Sequence, residues 1–95
     1  MEINGVKLVE TCAACPEQYD AFVNDKLVGY LRLRHGYFAV SCPHAGGEVV
    51  YETDTAGDGM FTDDEKDQQL YNATFQIQSW VAAHPEVLAE EPKKS

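Results

Sequence analysis

The stretch Leu27-Val-Gly-Tyr-Leu-Arg-Leu-Arg-His-Gly-Tyr-Phe-Ala-Val-Ser-Cys42 is compatible with few folds. From Tyr30 to Arg34, apolar and polar residues alternate with a period of two, the pattern of a half-buried strand. The alternation breaks at His35-Gly36, where glycine accepts positive φ easily and histidine tolerates it better than a β-branched residue. Two antiparallel strands joined by a two-residue turn satisfy both features. The chain contains two arginines, Arg32 and Arg34, and both fall on one strand of this hairpin, in a protein of net charge -9.

The surrounding chain extends the pattern. Gly5 to Thr11, Gln18 to Asn24, Lys26 to Arg34, Tyr37 to Cys42 and Glu48 to Thr53 are the expected strands. Asn24-Asp25 is a second turn signal. Pro16 has no amide to donate, so the segment Cys12 to Glu17 reads as a loop. Two further loops are expected, at Pro43 to Gly47 and at Asp54 to Phe61. The period then changes. Thr62-Asp-Asp-Glu65 is a capping box, and its acids suit the positive end of a helix dipole. Leu70, Ala73, Thr74, Ile77, Trp80 and Val81 form one helical stripe, which Tyr71 and Phe75 widen. Pro85 disfavours helix at His84, so the helix should end near Ala83. The expected fold is α+β: an antiparallel sheet of about five strands, followed by one long C-terminal helix packed on one face. One domain is expected over residues 1–89, with a disordered tail over 90–95.

Two-residue turns at Asn24-Asp25 and His35-Gly36 would place Val23 opposite Lys26, Tyr19 opposite Tyr30 and Arg34 opposite Tyr37. One face of the sheet would then carry Phe22, Leu27, Leu31, Leu33, Phe38, Val40 and Cys42 and receive the helix. The other would carry Tyr19, Ala21, Val23, Val28, Tyr30, Arg32, Arg34, Tyr37, Ala39 and Ser41. A slip of one residue would change cross-strand neighbours, but Tyr30, Arg32 and Arg34 share a strand and stay together. Guanidinium groups present a planar fork to phosphate or carboxylate, and tyrosines present ring faces and hydroxyls. Tyr19, Tyr30, Arg32, Arg34, His35 and Tyr37 are therefore the candidate ligand-binding residues. The competing reading is a solvated sheet face, with Arg32 paired to Glu17 or to acids on the fifth strand.

The excess of acids argues against direct nucleic-acid binding, which needs a basic surface. It is compatible with attraction to a basic protein partner. No apolar run approaches the roughly 20 residues of a membrane span, and Met1 to Gly5 lacks the character of a leader. The expected location is the cytoplasm of a bacterial host cell. Three cysteines in a reducing compartment point to thiols or metal ligands before disulfides.

Two candidate metal sites follow from the spacing of ligand-type residues. Cys12, Cys15, Cys42 and His44 have zinc-ligand chemistry, but the hairpin register separates the two halves by about 17 Å of strand. Asp54, Asp58 and Glu65 fall at calcium-ligand positions of an EF-hand-like loop, with Ala56 where an oxygen is needed and a strand where a helix should enter. The expectation is no metal and no cofactor. Catalytic motifs give no lead: there is no Gly-Lys-Ser/Thr phosphate loop, no HExxH, no nucleophile elbow and no dinucleotide fingerprint.

At Thr11-Cys-x-x-Cys-Pro-Glu-Gln-Tyr-Asp20, Gly29-Tyr-Leu-Arg-Leu-Arg-His-Gly-Tyr-Phe38 and Gly57-Asp-Gly59 the chain resembles a group of small phage and prophage proteins of unassigned activity. The resemblance covers roughly residues 5 to 80. It implies a non-catalytic accessory protein directed against host defence. Combined with the tyrosine and arginine face, the expectation is a sponge that sequesters a small nucleotide-like anionic signal, possible as a homo-oligomer. The alternatives are an acidic inhibitor of a basic defence protein and a small nucleotide hydrolase or metal-binding module.

Overall fold

A computed structural model describes residues 1–11 and 17–88. Among them six strands form one antiparallel sheet, every strand beside its neighbour in sequence. The strands are β1 (Glu2–Ile3), β2 (Val6–Glu10), β3 (Glu17–Val23), β4 (Lys26–Arg34), β5 (Tyr37–Cys42) and β6 (Glu48–Asp54). Helix α1 (Asp63–Ala83) packs on one face, and a 3-10 turn, Pro85–Leu88, follows it. The α+β expectation holds, with one short strand more than the five expected.

Three of the hairpins close through two-residue turns with positive φ at both positions: Asn4-Gly5, Asn24-Asp25 and His35-Gly36. That backbone matches the right-handed twist of the flanking strands. Registers Ile3↔Val6, Val23↔Lys26 and Arg34↔Tyr37 place each turn without slippage. The extra strand rests on the Asn4-Gly5 turn and on α1. The Asn4 side chain donates to Thr74 Oγ1 at 3.1 Å, and Gln78 Nε2 donates to the Asn4 carbonyl at 2.8 Å.

The inner face of β4 and β5 is as expected: Leu31, Leu33, Phe38, Val40 and Cys42 are buried. They meet Leu70, Ala73, Thr74, Ile77 and Val81 of α1. Phe38 packs edge-on against Phe61, with ring centroids 4.8 Å apart. Trp80 is half-buried and stacks on His84, the residue that caps the helix end. Tyr71 and Phe75 do not join the buried stripe; each remains about half exposed (50% and 53%).

The phase of β3 differs from expectation. The register runs Phe22↔Leu27 and then Ala21↔Gly29, so Val28 is an extra residue in β4. Such a bulge moves every later partner by one and inverts the facing of the strand opposite. Tyr19 therefore stands opposite Leu31, not Tyr30. Tyr19, Ala21, Val23 and Val28 are buried in the core, whereas Leu27 is 42% exposed and Phe22 lies on the other side. A second bulge shifts the β5/β6 register between Val40 and Ser41.

No helix among the described residues is long and apolar enough to cross a membrane. Residues 90–95, expected as a disordered tail, lie outside the described residues.

Candidate functional site

The face of the sheet turned away from α1 carries the candidate site. On β4 the residues Tyr30, Arg32 and Arg34 alternate with the buried Leu31 and Leu33. Directly opposite on β5 stand Ser41, Ala39 and Tyr37. The small side chains of Ala39 and Ser41 leave a depression between the longer residues around them. The result is a groove of about 450 Å³ lined by Tyr30, Arg32, Arg34, His35, Tyr37, Ala39, Ser41 and Ala45. That volume lies in the range of small-molecule sites.

Both tyrosines are held by their hydroxyls. Tyr30 donates to Gln18 Oε1 at 2.9 Å, and Thr11 Oγ1 donates to the same oxygen at 3.4 Å. Tyr37 donates to Glu52 Oε1. This hydrogen bond holds the Tyr37 phenol above its ordinary pKa, with desolvation and the charges of Glu52 and Asp54 adding to the effect. Gln18 and Glu52 occupy the two ends of one cross-sheet row, Gln18–Arg32–Ala39–Glu52. The rings thus lean outwards, towards β3 and β6, with the arginine between them.

Neither Arg32 nor Arg34 is ion-paired among the described residues. Glu17, one of the acids that the competing solvated-face reading would pair with Arg32, faces the core and is bound by Lys66 at 3.1 Å instead. The bulge at Val28 is the cause, because it turned the whole of β3. Arg32 Nε is buried and has no hydrogen-bond partner among the described residues. Such a group carries a desolvation cost that only an acceptor can offset.

Five of the six candidate ligand residues, Tyr30, Arg32, Arg34, His35 and Tyr37, come together in the groove. Tyr19 does not. It is 3% exposed on the opposite face, and its hydroxyl donates to Glu17. Burial and the carboxylate of Glu17 push its phenol pKa well up. The groove also takes in Ala39, Ser41 and Ala45. Ala39 and Ser41 were legible from their alternation with Tyr37; Ala45, on the loop after β5, had no sequence signal.

The end of the groove at the His35-Gly36 turn is braced by the loop after β6. Gly36 N–H donates to the Asp58 carbonyl at 2.9 Å, and Thr55 N–H donates to the Gly36 carbonyl at 2.8 Å. These bonds fix the turn that carries His35.

The metal candidates that lie among the described residues are not brought together. Among the described residues no group of three His, Cys, Asp or Glu side chains forms a possible metal site. Glu65, the twelfth residue of the calcium-like loop, accepts the amides of Ala56, Gly57 and Thr62, each at 2.9 Å. These backbone bonds lower its pKa and commit the carboxylate to the helix cap and to the loop amides before it. Of the zinc candidates, Cys12 and Cys15 lie outside the described residues. Cys42 is buried in the core, and burial together with the charge of Glu48 pushes its thiol up to about 12. His44 is exposed, with its Nδ1 accepting the Gly46 amide at 3.2 Å.

Comparison with protein-family models, with curated proteins and with solved structures returned no match. The functional reading therefore rests on the groove itself.

Proposed function

We propose that the protein is a non-catalytic binding module that holds a small nucleotide-like anion in the groove between Tyr30 and Tyr37. The observation that carries this reading is the buried Nε of Arg32 beside Arg34, neither with a partner among the described residues. In a chain with 16 acids and 7 basic residues, intramolecular partners for two guanidiniums are abundant. Leaving both without one, in a concave site, is a cost that an anionic ligand removes. The flanking rings suit a planar group attached to that anion. Set in a phage-type protein, as the sequence resemblance implies, such a module serves as a sink for a nucleotide signal of host defence.

Thermal-shift screening of the intact protein with cyclic dinucleotides and ADP-ribose variants tests the reading. A ligand should raise the melting temperature of the wild type and leave Arg32→Ala and Arg34→Ala unmoved. If no such compound stabilises the wild type more than the two variants, the reading is wrong.

A further inference from the structure

Charge alternates across the groove. Arg32 lies in its middle row, opposite Ala39, and Arg34 stands directly opposite Tyr37 beside the His35-Gly36 turn. Asp20 stands opposite Tyr30 on β3, and Asp54 stands opposite Tyr37 on β6, where Glu52 also binds the Tyr37 hydroxyl. Each phenol therefore has an acid on the outer strand beside it, on β3 for Tyr30 and on β6 for Tyr37, while both guanidiniums project from β4. An anionic group is favoured along the β4 guanidiniums and repelled from the acids of the outer strands. What suits those outer sides is an uncharged ring that stacks on a phenol and directs N–H donors at a carboxylate.

The spacing sharpens this. The hydroxyls of Tyr30 and Tyr37 are drawn to opposite ends of the row Gln18–Arg32–Ala39–Glu52. Three interstrand steps separate those ends, about 14 Å at roughly 4.8 Å per step. A single base with its phosphate at the arginines can reach one phenol and leaves the other bare. Two bases joined through sugars and a phosphate bridge reach both. Each phenol is already anchored, to a carboxamide or a carboxylate, so little side-chain freedom is lost when a ring stacks on it.

Resting on the anion-binding reading above, we infer that the ligand class is a phosphate-bridged dinucleotide, with its bridge on Arg32 and Arg34 and one base on each of Tyr30 and Tyr37. A mononucleotide fits only half of the site.

Isothermal titration calorimetry with two probes tests this: ADP, with one base on a diphosphate, and diadenosine diphosphate, with a base at both ends. The second probe carries fewer negative charges, so tighter binding cannot come from charge. The wild type should bind it at least about 10-fold more tightly than ADP, the order expected of one added base–aromatic stack. Tyr30→Ala and Tyr37→Ala should each abolish that gain, while Tyr30→Phe and Tyr37→Phe, which keep the rings, should retain it. Circular dichroism of each variant establishes that it is folded. Equal affinity for the two probes in the wild type, or a gain that survives both alanine variants, overturns the two-base inference and leaves the anion site standing. Binding of neither probe overturns both.

Discussion

Glu17 Oε1 accepts the backbone amide of Phe61 at 3.0 Å, across 44 residues of chain. The same carboxylate takes the Tyr19 hydroxyl and the Lys66 ammonium, so one buried acid joins the start of β3, the loop after β6 and the first turns of α1. Burial raises its pKa, but the hydrogen bonds from Tyr19, Phe61 and Lys66 outweigh burial and leave it below the ordinary value. Glu17→Ala strands the Phe61 amide and the Tyr19 hydroxyl, and should cost about 2–4 kcal/mol in urea denaturation.

The pH dependence follows from the same carboxylate. A group whose pKa is lower in the folded state stabilises it above the unfolded pKa, and that stability fades as pH falls through the folded value. Glu17 and Glu65 are both of this kind. The wild type should lose stability as pH falls below about 4.5, the ordinary carboxylate range. Glu17→Gln should show a shallower loss over the same window, measured as urea midpoint against pH.

At Gly57 the constraint is steric. A Cβ there would lie 1.7 Å from the Met60 carbonyl oxygen, a backbone atom that cannot move aside cheaply. Gly57→Ala should destabilise the protein by at least about 2 kcal/mol and loosen the loop that braces His35. Gly46→Ala is the control: its nearest contact is the His44 ring at 3.7 Å, and its denaturation midpoint should match the wild type within about 0.5 kcal/mol.

Arg32 is expected to weaken the free protein slightly. Replacing a buried unpartnered donor by an apolar side chain of similar length removes a desolvation cost. Arg32→Met should therefore leave stability unchanged or raise it by up to about 1 kcal/mol, while abolishing the ligand-induced thermal shift. A clear loss of stability in the ligand-free variant would mean that the guanidinium is structural.

Cys42 should be inert in the native state. Its thiol is buried and carries a pKa of about 12, so almost no thiolate exists at pH 8. Peptide mapping after iodoacetamide treatment should find Cys42 unmodified in the folded protein and modified in guanidinium chloride.

Much of this molecule is local, and what is local is legible. The turns at Asn24-Asp25 and His35-Gly36, the capping box at Thr62 and Glu65, and the helix end before Pro85 follow from backbone preferences of a few adjacent residues. Asn4-Gly5 is local in the same way, as a strong short hairpin signal, although the expected first strand begins at Gly5 with no turn expected there. Tyr30, Arg32 and Arg34 share a face because they share a strand, whatever lies beside it. The facing of β3 was not legible in this way. It depends on the bulge at Val28, where one residue is set aside so that Gly29 can sit against the helix. A Cβ at Gly29 would meet Ile77 Cδ1 at 3.3 Å, a contact between elements far apart in sequence. A glycine inside a strand pattern is the available hint of such a place, but it does not state the direction of the shift.

The chain alone thus determined the alternation of β4 and β5, the turns and the span of the helix, because each is set by neighbours in sequence. Packing of the helix on the sheet decided the rest: which way β3 faces, that Glu17 serves Lys66 and Phe61 and not Arg32, and that two guanidiniums stand without an acid partner among the described residues of an acidic protein. The reason is that a one-residue bulge costs little locally but reverses the facing of every residue beyond it. Its placement is set by how the two layers fit.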